Sequence, residues 1–397
     1  MLPYLLTGTD PPRYAAYLER KLAEAYRAFH EAALPLGEVQ VWPSAPRHYR
    51  MRTEFEIVHR EGTYDYAMFM PGTSRLIITN HPDLHARPID ELMDPLRQAV
   101  CAAPSLRERL FGVEFLANQG GEVVAALHYH KMLGEDLAQA LRQARRQLQD
   151  AGLRVELCAR ARGQLLAAER SELTETYALP GGEVHLIQVI GTFSQPNAGV
   201  CTRMLEFARG CAEQASAGAR GDLLELYCGS GTFTVALAPC FRQVLATEVS
   251  RTAARTVRRN LQVNDIANAT IIRLSAAEVS QALQRRRTFR RLEEQGINLP
   301  DWRFAAILLD PPRQGIGDEA TLQLAARFEH IIYVSCSLPS LLADLQQLRG
   351  SHAIVRTGFF DQFPYTPHLE SIIHLVRRDK AMHGTPPAVT DHPSPGR

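Results

Sequence analysis

Two rhythms of apolar and polar positions divide this chain. Between residues 14 and 32 apolar side chains recur at helical spacing among mixed charges. A stretch punctuated by Pro and Gly follows. Then Arg52-Thr53-Glu54-Phe55-Glu56-Ile57-Val58-His59 alternates polar and apolar, the pattern of a strand with one buried face. Tyr66–Met70, Arg75–Thr79 and Glu122–Tyr129 are further short β-like runs, and Asp136–Leu148 predicts an amphipathic helix. Residues 1–190 therefore predict an α+β unit. From residue 221 short apolar runs alternate with helical stretches, the signature of a parallel sheet with crossover helices. The candidate strands are Leu223–Leu226, Val244–Thr247, Thr270–Arg273, Ala305–Leu309, Ile331–Val334, Ala353–Arg356 and Ile372–Val376. They predict a doubly wound, Rossmann-like α/β sheet of seven strands within a domain spanning 191–380. An Arg-rich insertion, Gln284–Trp302, interrupts the pattern, and the Pro-rich end predicts a disordered tail over 381–397.

Composition narrows the chemistry. At 397 residues the chain exceeds the usual size of one domain. Its formal net charge is +1, from 44 basic and 43 acidic residues, so contact with a polyanion must come from local patches. The seven cysteines form an odd set without a CxxC pair, which argues against a disulfide framework, a zinc site and an iron–sulfur cluster. A reducing cytoplasm is the expected home. The start lacks the charge and apolar pattern of a signal peptide, and no run of 18 apolar residues occurs, so neither export nor a membrane partner is expected.

Three strand ends carry the candidate chemistry. In Glu225-Leu226-Tyr227-Cys228-Gly229-Ser230-Gly231-Thr232-Phe233 a strand runs through a glycine turn into a helix, as a backbone approached closely by a ligand requires. A dinucleotide fingerprint would place a third Gly at position 234, where Thr stands, so adenosine without phosphates fits better. Glu248 follows the next strand, nineteen residues past Gly229, where its carboxylate can accept from both ribose hydroxyls. Asp310-Pro311-Pro312-Arg313 follows a third apolar run, and its prolines make a rigid platform that holds Asp310 toward the crevice. An aromatic after the prolines would suggest amino-group methylation, but Arg313 stands there and favours a different acceptor atom. Cys336 ends the run His330–Cys336. Ligands of open α/β sheets gather beyond the carboxyl ends of the strands, so the Gly turn, Asp310 and Cys336 are expected to share one crevice.

With these motifs the chain resembles the S-adenosylmethionine-dependent RNA uracil-C5 methyltransferases, and within them the tRNA-modifying branch. The likeness runs from His48-Tyr49-Arg50-Met51-Arg52 through Phe193-Ser194-Gln195-Pro196-Asn197, the glycine turn, Ala246-Thr247-Glu248, Asp310-Pro311-Pro312-Arg313 and Ser335-Cys336 to Phe360–Glu370. It covers nearly the whole chain except the tail. It implies a methyltransferase sheet preceded by an RNA-binding domain. It further implies that Gln195, Tyr227, Thr232, Glu248 and Asp310 line an S-adenosylmethionine pocket, that Cys336 is the nucleophile, and that Glu370 accepts the C5 proton. The implied product is 5-methyluridine in the T-loop of tRNA (position 54), with no metal, no iron–sulfur cluster and no obligate protein partner. Two departures stand out: Cys336-Ser337-Leu338 replaces the family's Cys-Asn-Pro, and Thr232 replaces an Asn.

The chemistry explains the residue types. Uracil C5 is a poor nucleophile, and a thiolate added at C6 converts the ring to an enolate whose C5 can take a methyl group. A carboxylate must then remove the C5 proton before the thiolate can leave. A free thiol titrates near 8.5, so Arg313 or a backbone N–H is expected to help ionise Cys336. The uridine must also leave its stack. Arg50 and Arg52, with Arg47 and the interleaved Tyr49, are candidates for phosphate contact and stacking, and Phe111 and Phe115 are candidates for a wedge under a displaced base. Arg285, Arg286, Arg287, Arg290 and Arg291 form a second basic run. The same chemistry on rRNA, amino-group methylation, and an RNA-folding factor with incidental methylation are the competing readings.

Overall fold

The chain begins by building the sheet that its last third completes. In the computed structural model, which describes residues 5, 8–69, 76–78, 83–217 and 220–381, helix α1 (Tyr14–Glu31) buries Tyr17, Lys21, Ala25 and Phe29, every fourth residue along one face. Strand β1 (Glu38–Trp42) then pairs in parallel with β16 (His352–Phe360). Residues up to 42 thus add a strand and a helix to the C-terminal sheet, although the sequence pattern assigned them to the N-terminal unit. The difference has a physical reason: β1 is a five-residue edge strand whose partner lies more than 300 residues away, and local periodicity carries no trace of that pairing.

The N-terminal unit is a seven-stranded sheet. It comprises β2 (Arg52–His59), β3 (Tyr64–Phe69), β4 (Leu76–Ile78), β5 (Leu110–Ala117), β6 (Val123–Tyr129), β7 (Val155–Ala161) and β8 (Gln164–Ala167), in the order β4-β3-β2-β5-β6-β7-β8. Helices α2 (Arg87–Ala102), α3 (Pro104–Arg107) and α4 (Glu135–Asp150) connect the strands. Only β6 and β7 pair in parallel, because α4 carries the chain back across the sheet between them. Phe55, Val113, Phe115, Ala125 and Leu127 face α2 and α4 and form the core, whereas the alternate residues, such as Glu54, Glu114 and His128, lie on the opposite face. The runs expected as strands at 52–59, 66–70 and 122–129 correspond to β2, β3 and β6. Met70 and the flanks of Arg75–Thr79 lie outside the described residues, as does the tail from residue 382.

A hairpin, β9 (Glu172–Leu179) and β10 (Gly182–Val189), leads into α5 (Ala198–Ser216), whose N-cap is the Asn197 side chain accepting from Val200 N. The catalytic sheet follows: β11 (Asp222–Leu226), α6 (Thr232–Leu237), β12 (Val244–Thr247), α7 (Arg251–Val263), β13 (Ala269–Ile272), α8 (Ala276–Leu283), α9 (Arg290–Glu294), β14 (Phe304–Leu309), α10 (Glu319–Ala325), β15 (His330–Ser335), α11 (Leu338–Leu348), β16, β17 (Glu370–Arg377) and α12 (Arg378–Ala381). The strand order is β1-β16-β17-β15-β14-β11-β12-β13. All seven expected strands are present, and β1 is the eighth. The central strands are apolar on both faces because helices cover both. Leu223, Ala246 and Leu308 pack toward α5, α6 and α7, while Leu224, Leu245, Ile307 and Leu309 share a second core with α1, α8 and α11. Strand order reverses between β11 and β14, so a crevice opens beyond their carboxyl ends. No helix among the described residues is long and apolar enough to cross a membrane.

The opposite end of the sheet holds a pair of buried imidazoles, with His330 Nδ1 3.1 Å from His374 Nε2. Burial, and next the neighbouring His330 and Arg356, push His374 down to about 3. The unfolded chain takes up a proton near pH 6.5, but folded His374 refuses it until about pH 3, so stability falls as pH drops through that window. The thermal midpoint is expected to decrease from pH 7 toward pH 4, and His374→Leu should make that decline shallower. Calorimetry across the pH series checks both.

Candidate active site

The glycine turn after β11 is built on backbone few residues tolerate. Tyr227, Gly229 and Gly231 have φ of 62°, 55° and 86°. Gly229 has open space where a Cβ would stand, whereas a Cβ on Gly231 would lie 3.1 Å from Val257 Cγ1. Tyr227 takes the left-handed conformation without a glycine's freedom, at a cost of roughly 1 kcal/mol. Several contacts hold the turn: Cys228 N donates to Thr247 O, Gly231 N donates to Cys228 O, and Asn260 Nδ2 of α7 donates to Ser230 O. Glu248 lies at the lip, its carboxylate accepting from Gly229 N at 3.1 Å and Ser250 N at 2.8 Å. The nineteen-residue spacing therefore brings acid and turn into direct contact. Thr232 opens α6 and is half-buried.

Under the turn lies a carboxyl group to which the sequence motifs assign no role. Glu225 is fully buried, and neither carboxylate oxygen has a well-formed hydrogen bond, although the Thr234 hydroxyl adjoins it. Burial pushes it up to about 8. Its signal in the sequence is an acid within the apolar run Leu223-Leu224-Glu225-Leu226.

Asp310 follows β14, its N–H 3.4 Å from Leu226 O, and burial raises its carboxyl to about 7. Glu370 begins β17, which runs antiparallel to β15, so the register Ser335↔Ser371 sets Glu370 beside Cys336. Burial raises Glu370 to about 8, the negative charge of Asp310 adds to this, and Arg313 opposes it. Burial and the Glu370 charge also raise the Cys336 thiol, while Arg313 acts to lower it both by charge and by a hydrogen bond. Arg313 thus assists ionisation as expected, but the site as a whole holds the thiol above its ordinary value.

The half-buried Cys336 opens into a cavity of about 250 Å³ whose lining includes Lys21, Glu24, Arg313, Ser337 and His368. The Ser337-Leu338 departure falls at the start of α11, where Pro339 occupies the first turn. Hydrogen bonds hold this loop: Ser337 N donates to Ser335 Oγ, and Ser340 Oγ donates to Ser337 O and Arg313 O. Gln195 joins the same region from a distant segment, its Oε1 accepting from Gln362 Nε2 at 3.3 Å.

The expected RNA contacts separate into different environments. Tyr49 is buried against Tyr17, Leu84 and Tyr365 and is not available to stack on a base. Arg50 is half-buried and donates to Arg52 O, and its burial lowers the guanidinium from its ordinary value. Arg52 is paired with Glu114 at 2.8 Å and donates to Thr192 O. Arg47, more exposed, pairs with Asp83. Phe115 belongs to the core, but Phe111 stacks on His130 at 3.9 Å between ring centres and lines an open groove with Lys131, Met132 and Arg160. In the Arg-rich insertion Arg285–Arg287 are exposed, Arg290 pairs with Glu294, and Arg291 donates to Arg273 O.

This geometry, a nucleotide-type turn joined to a thiol and a carboxyl at one sheet edge, agrees with what the chain is similar to. The profile of the family described as tRNA (Uracil-5-)-methyltransferase matches residues 13–378. The chain belongs to this family. A tRNA/tmRNA (uracil-C(5))-methyltransferase of Azoarcus sp. (strain BH72) is 44% identical over 370 residues, covering 93% of this chain and 98% of the relative. The protein of the same name from Neisseria meningitidis serogroup B is 40% identical over 351 residues, covering 87% and 94%. A Pyrococcus abyssi tRNA (uracil-54, C5)-methyltransferase, solved with S-adenosyl-L-homocysteine, shares the fold at TM-score 0.63 and 17% identity, covering 91% of this chain and 83% of that one. The chain is thus an α/β methyltransferase of the tRNA uracil-5 family.

The opposed influences on the thiol give a direct test. Glu370→Gln removes the negative charge that raises Cys336, so its alkylation by iodoacetamide should shift to lower pH, whereas Arg313→Ala should shift it to higher pH. A profile moved by neither substitution would show that these side chains do not set the reactivity of Cys336.

Proposed function

We propose that this enzyme methylates C5 of a T-loop uridine in tRNA, and in RNAs that present a tRNA-like T-loop, through a covalent bond between Cys336 and C6 of the base. The observation that carries the reading is the juxtaposition, in register, of Cys336 at the end of β15 and Glu370 at the start of β17. The names of the relatives, which specify tRNA and tmRNA, support the RNA class, and the P. abyssi enzyme's title names uracil-54.

The glycine turn with Glu248 at its lip suits the adenosine half of S-adenosylmethionine. The buried carboxyls of Glu225 and Asp310 suit its positive charges, because a carboxyl raised by burial recovers its ionised form beside a cation. When bound by these residues, S-adenosylmethionine would supply the methyl group. Cys336 Sγ adds to C6 and leaves C5 electron-rich. After C5 has gained the methyl group, the Glu370 carboxylate takes its proton, the C5–C6 double bond re-forms, and the C6–Sγ bond breaks to return the thiolate. Arg313, on its rigid Pro-Pro platform, stabilises both anions. Phe111 and the adjacent basic groove offer a surface for the displaced loop.

A tRNA transcript containing 5-fluorouridine should form a denaturation-resistant adduct with the protein and S-adenosylmethionine, because fluorine at C5 cannot leave as a proton. The adduct should vanish in Cys336→Ala and map to the T-loop. Adduct formation by Cys336→Ala, or trapping at another position, would overturn the reading. Both reacting groups act deprotonated and both are raised, so turnover rates should climb as pH rises through about 8, the value of Glu370, and go on climbing above it because the thiol is raised from its ordinary value.

A further inference from the structure

Helix α1 packs its apolar stripe against the catalytic sheet, and one further side chain of that stripe grips the segment that ends in the proposed base. Three members of its buried stripe are Tyr17, Ala25 and Phe29, and the fourth is Lys21, a cation in an otherwise uncharged row. The Lys21 side chain is 1% exposed, and so is that of Asp361, whose Oδ1 lies 2.5 Å from the ammonium. Lys21 also donates to Phe363 O at 2.6 Å and His368 O at 3.0 Å. These three acceptors match the three protons of the ammonium. The second Asp361 oxygen accepts from the Tyr14 hydroxyl at 2.8 Å, and the Tyr14 oxygen accepts from Ser44 N.

The segment 361–369 joins β16 to β17 and forms neither helix nor strand. Without a backbone ladder its shape must come from elsewhere. Lys21 fastens both ends, with Asp361 and Phe363 near the start and His368 two residues before Glu370. Burying an ion pair is a poor route to stability, since desolvation offsets much of the attraction; such pairs serve where they select one conformation over others. The Cys336 loop is held separately, by Ser335, Ser337 and Ser340.

We infer that Tyr14, Lys21 and Asp361 are positioning residues for Glu370, fixing its carboxylate against C5 of the base bound to Cys336. This rests on the proposed roles of Cys336 and Glu370. Its consequence is a separation of steps: the thiol still adds and the methyl group still transfers when the array is broken, but the C5 proton leaves slowly. C5 then keeps its methyl group and its hydrogen, the double bond cannot re-form, and the Sγ–C6 bond persists.

The test uses full-length enzyme, tRNA transcript and S-adenosylmethionine labelled in the methyl group, comparing the first turnover with steady state. In Asp361→Asn and Lys21→Met, first-turnover methyl incorporation should stay within about threefold of the parent, while kcat falls by about tenfold or more and KM for tRNA holds. Methylated RNA should accumulate as a denaturation-resistant adduct. Tyr14→Phe keeps the ion pair and should show the same split to a smaller degree, which preserves the test should a charge-removing variant fail to fold. Incorporation and turnover falling together without adduct would overturn the inference and leave the array a purely structural tie. Glu370→Gln is the control. If it accumulates no methylated adduct, the base assignment fails; if it does and the Asp361 and Tyr14 variants do not, the positioning role alone fails.

Discussion

The direction of one strand governs this active site. In a parallel sheet every strand delivers its carboxyl end to the same edge, so β11, β12, β14 and β15 naturally gather the glycine turn, Glu248, Asp310 and Cys336. A further strand running the same way would send its amino end to the far side. Because β17 is inserted antiparallel between β15 and β16, its first residue arrives at the crevice, and Glu370 meets Cys336 across a single inter-strand spacing. A two-residue turn would join two adjacent antiparallel strands, so the return 361–369 is longer than the reversal requires, and something outside the sheet holds that segment in place.

The electrostatics follow from this crowding. Glu225, Asp310, Glu370 and Cys336 are all raised by burial, with Arg313 the nearby cation acting against two of them. The site is thus held short of positive charge, a state suited to a cationic methyl donor and to a proton that must be received late in the reaction. Lys21 does not relieve the shortage, because its ammonium is fully engaged by Asp361 and two carbonyls.

Much of this was legible in the residues. The seven strands of the catalytic sheet, the glycine turn, Glu248, the Asp-Pro-Pro platform and Cys336 are written locally, in runs of a few residues with their own punctuation. What escaped depends on distance. Edge strand β1 pairs with a strand at the other end of the chain. Lys21 looked like one of several charges on an amphipathic helix, and only its place in the stripe of Tyr17, Ala25 and Phe29 marks it as buried. Phe111 and Phe115 are alike in type, and the sheet face on which each falls sends Phe115 to the interior and leaves Phe111 beside the groove, while Tyr49 lies outside the strands and is buried among Tyr17, Leu84 and Tyr365. Strand alternation fixes such choices once register is known, and a bulge between Leu110 and Gly112 shifts that register where it matters for Phe111.

The β9–β10 hairpin shows how a pair of amides can stand in for a missing strand. The outer edge of β10 would offer unsatisfied backbone groups to any extended segment, but Asn264, the C-cap of α7, takes both the N–H and the carbonyl of His185, and Asn260 takes the N–H of Ile187. Three backbone groups along the outer edge of this two-stranded ribbon are thereby occupied by side chains. Since Asn260 accepts at one end of its amide and donates to Ser230 at the other, a carboxylate of the same shape could not replace it. The edge of the hairpin and the nucleotide turn are thus fastened to the same side chain.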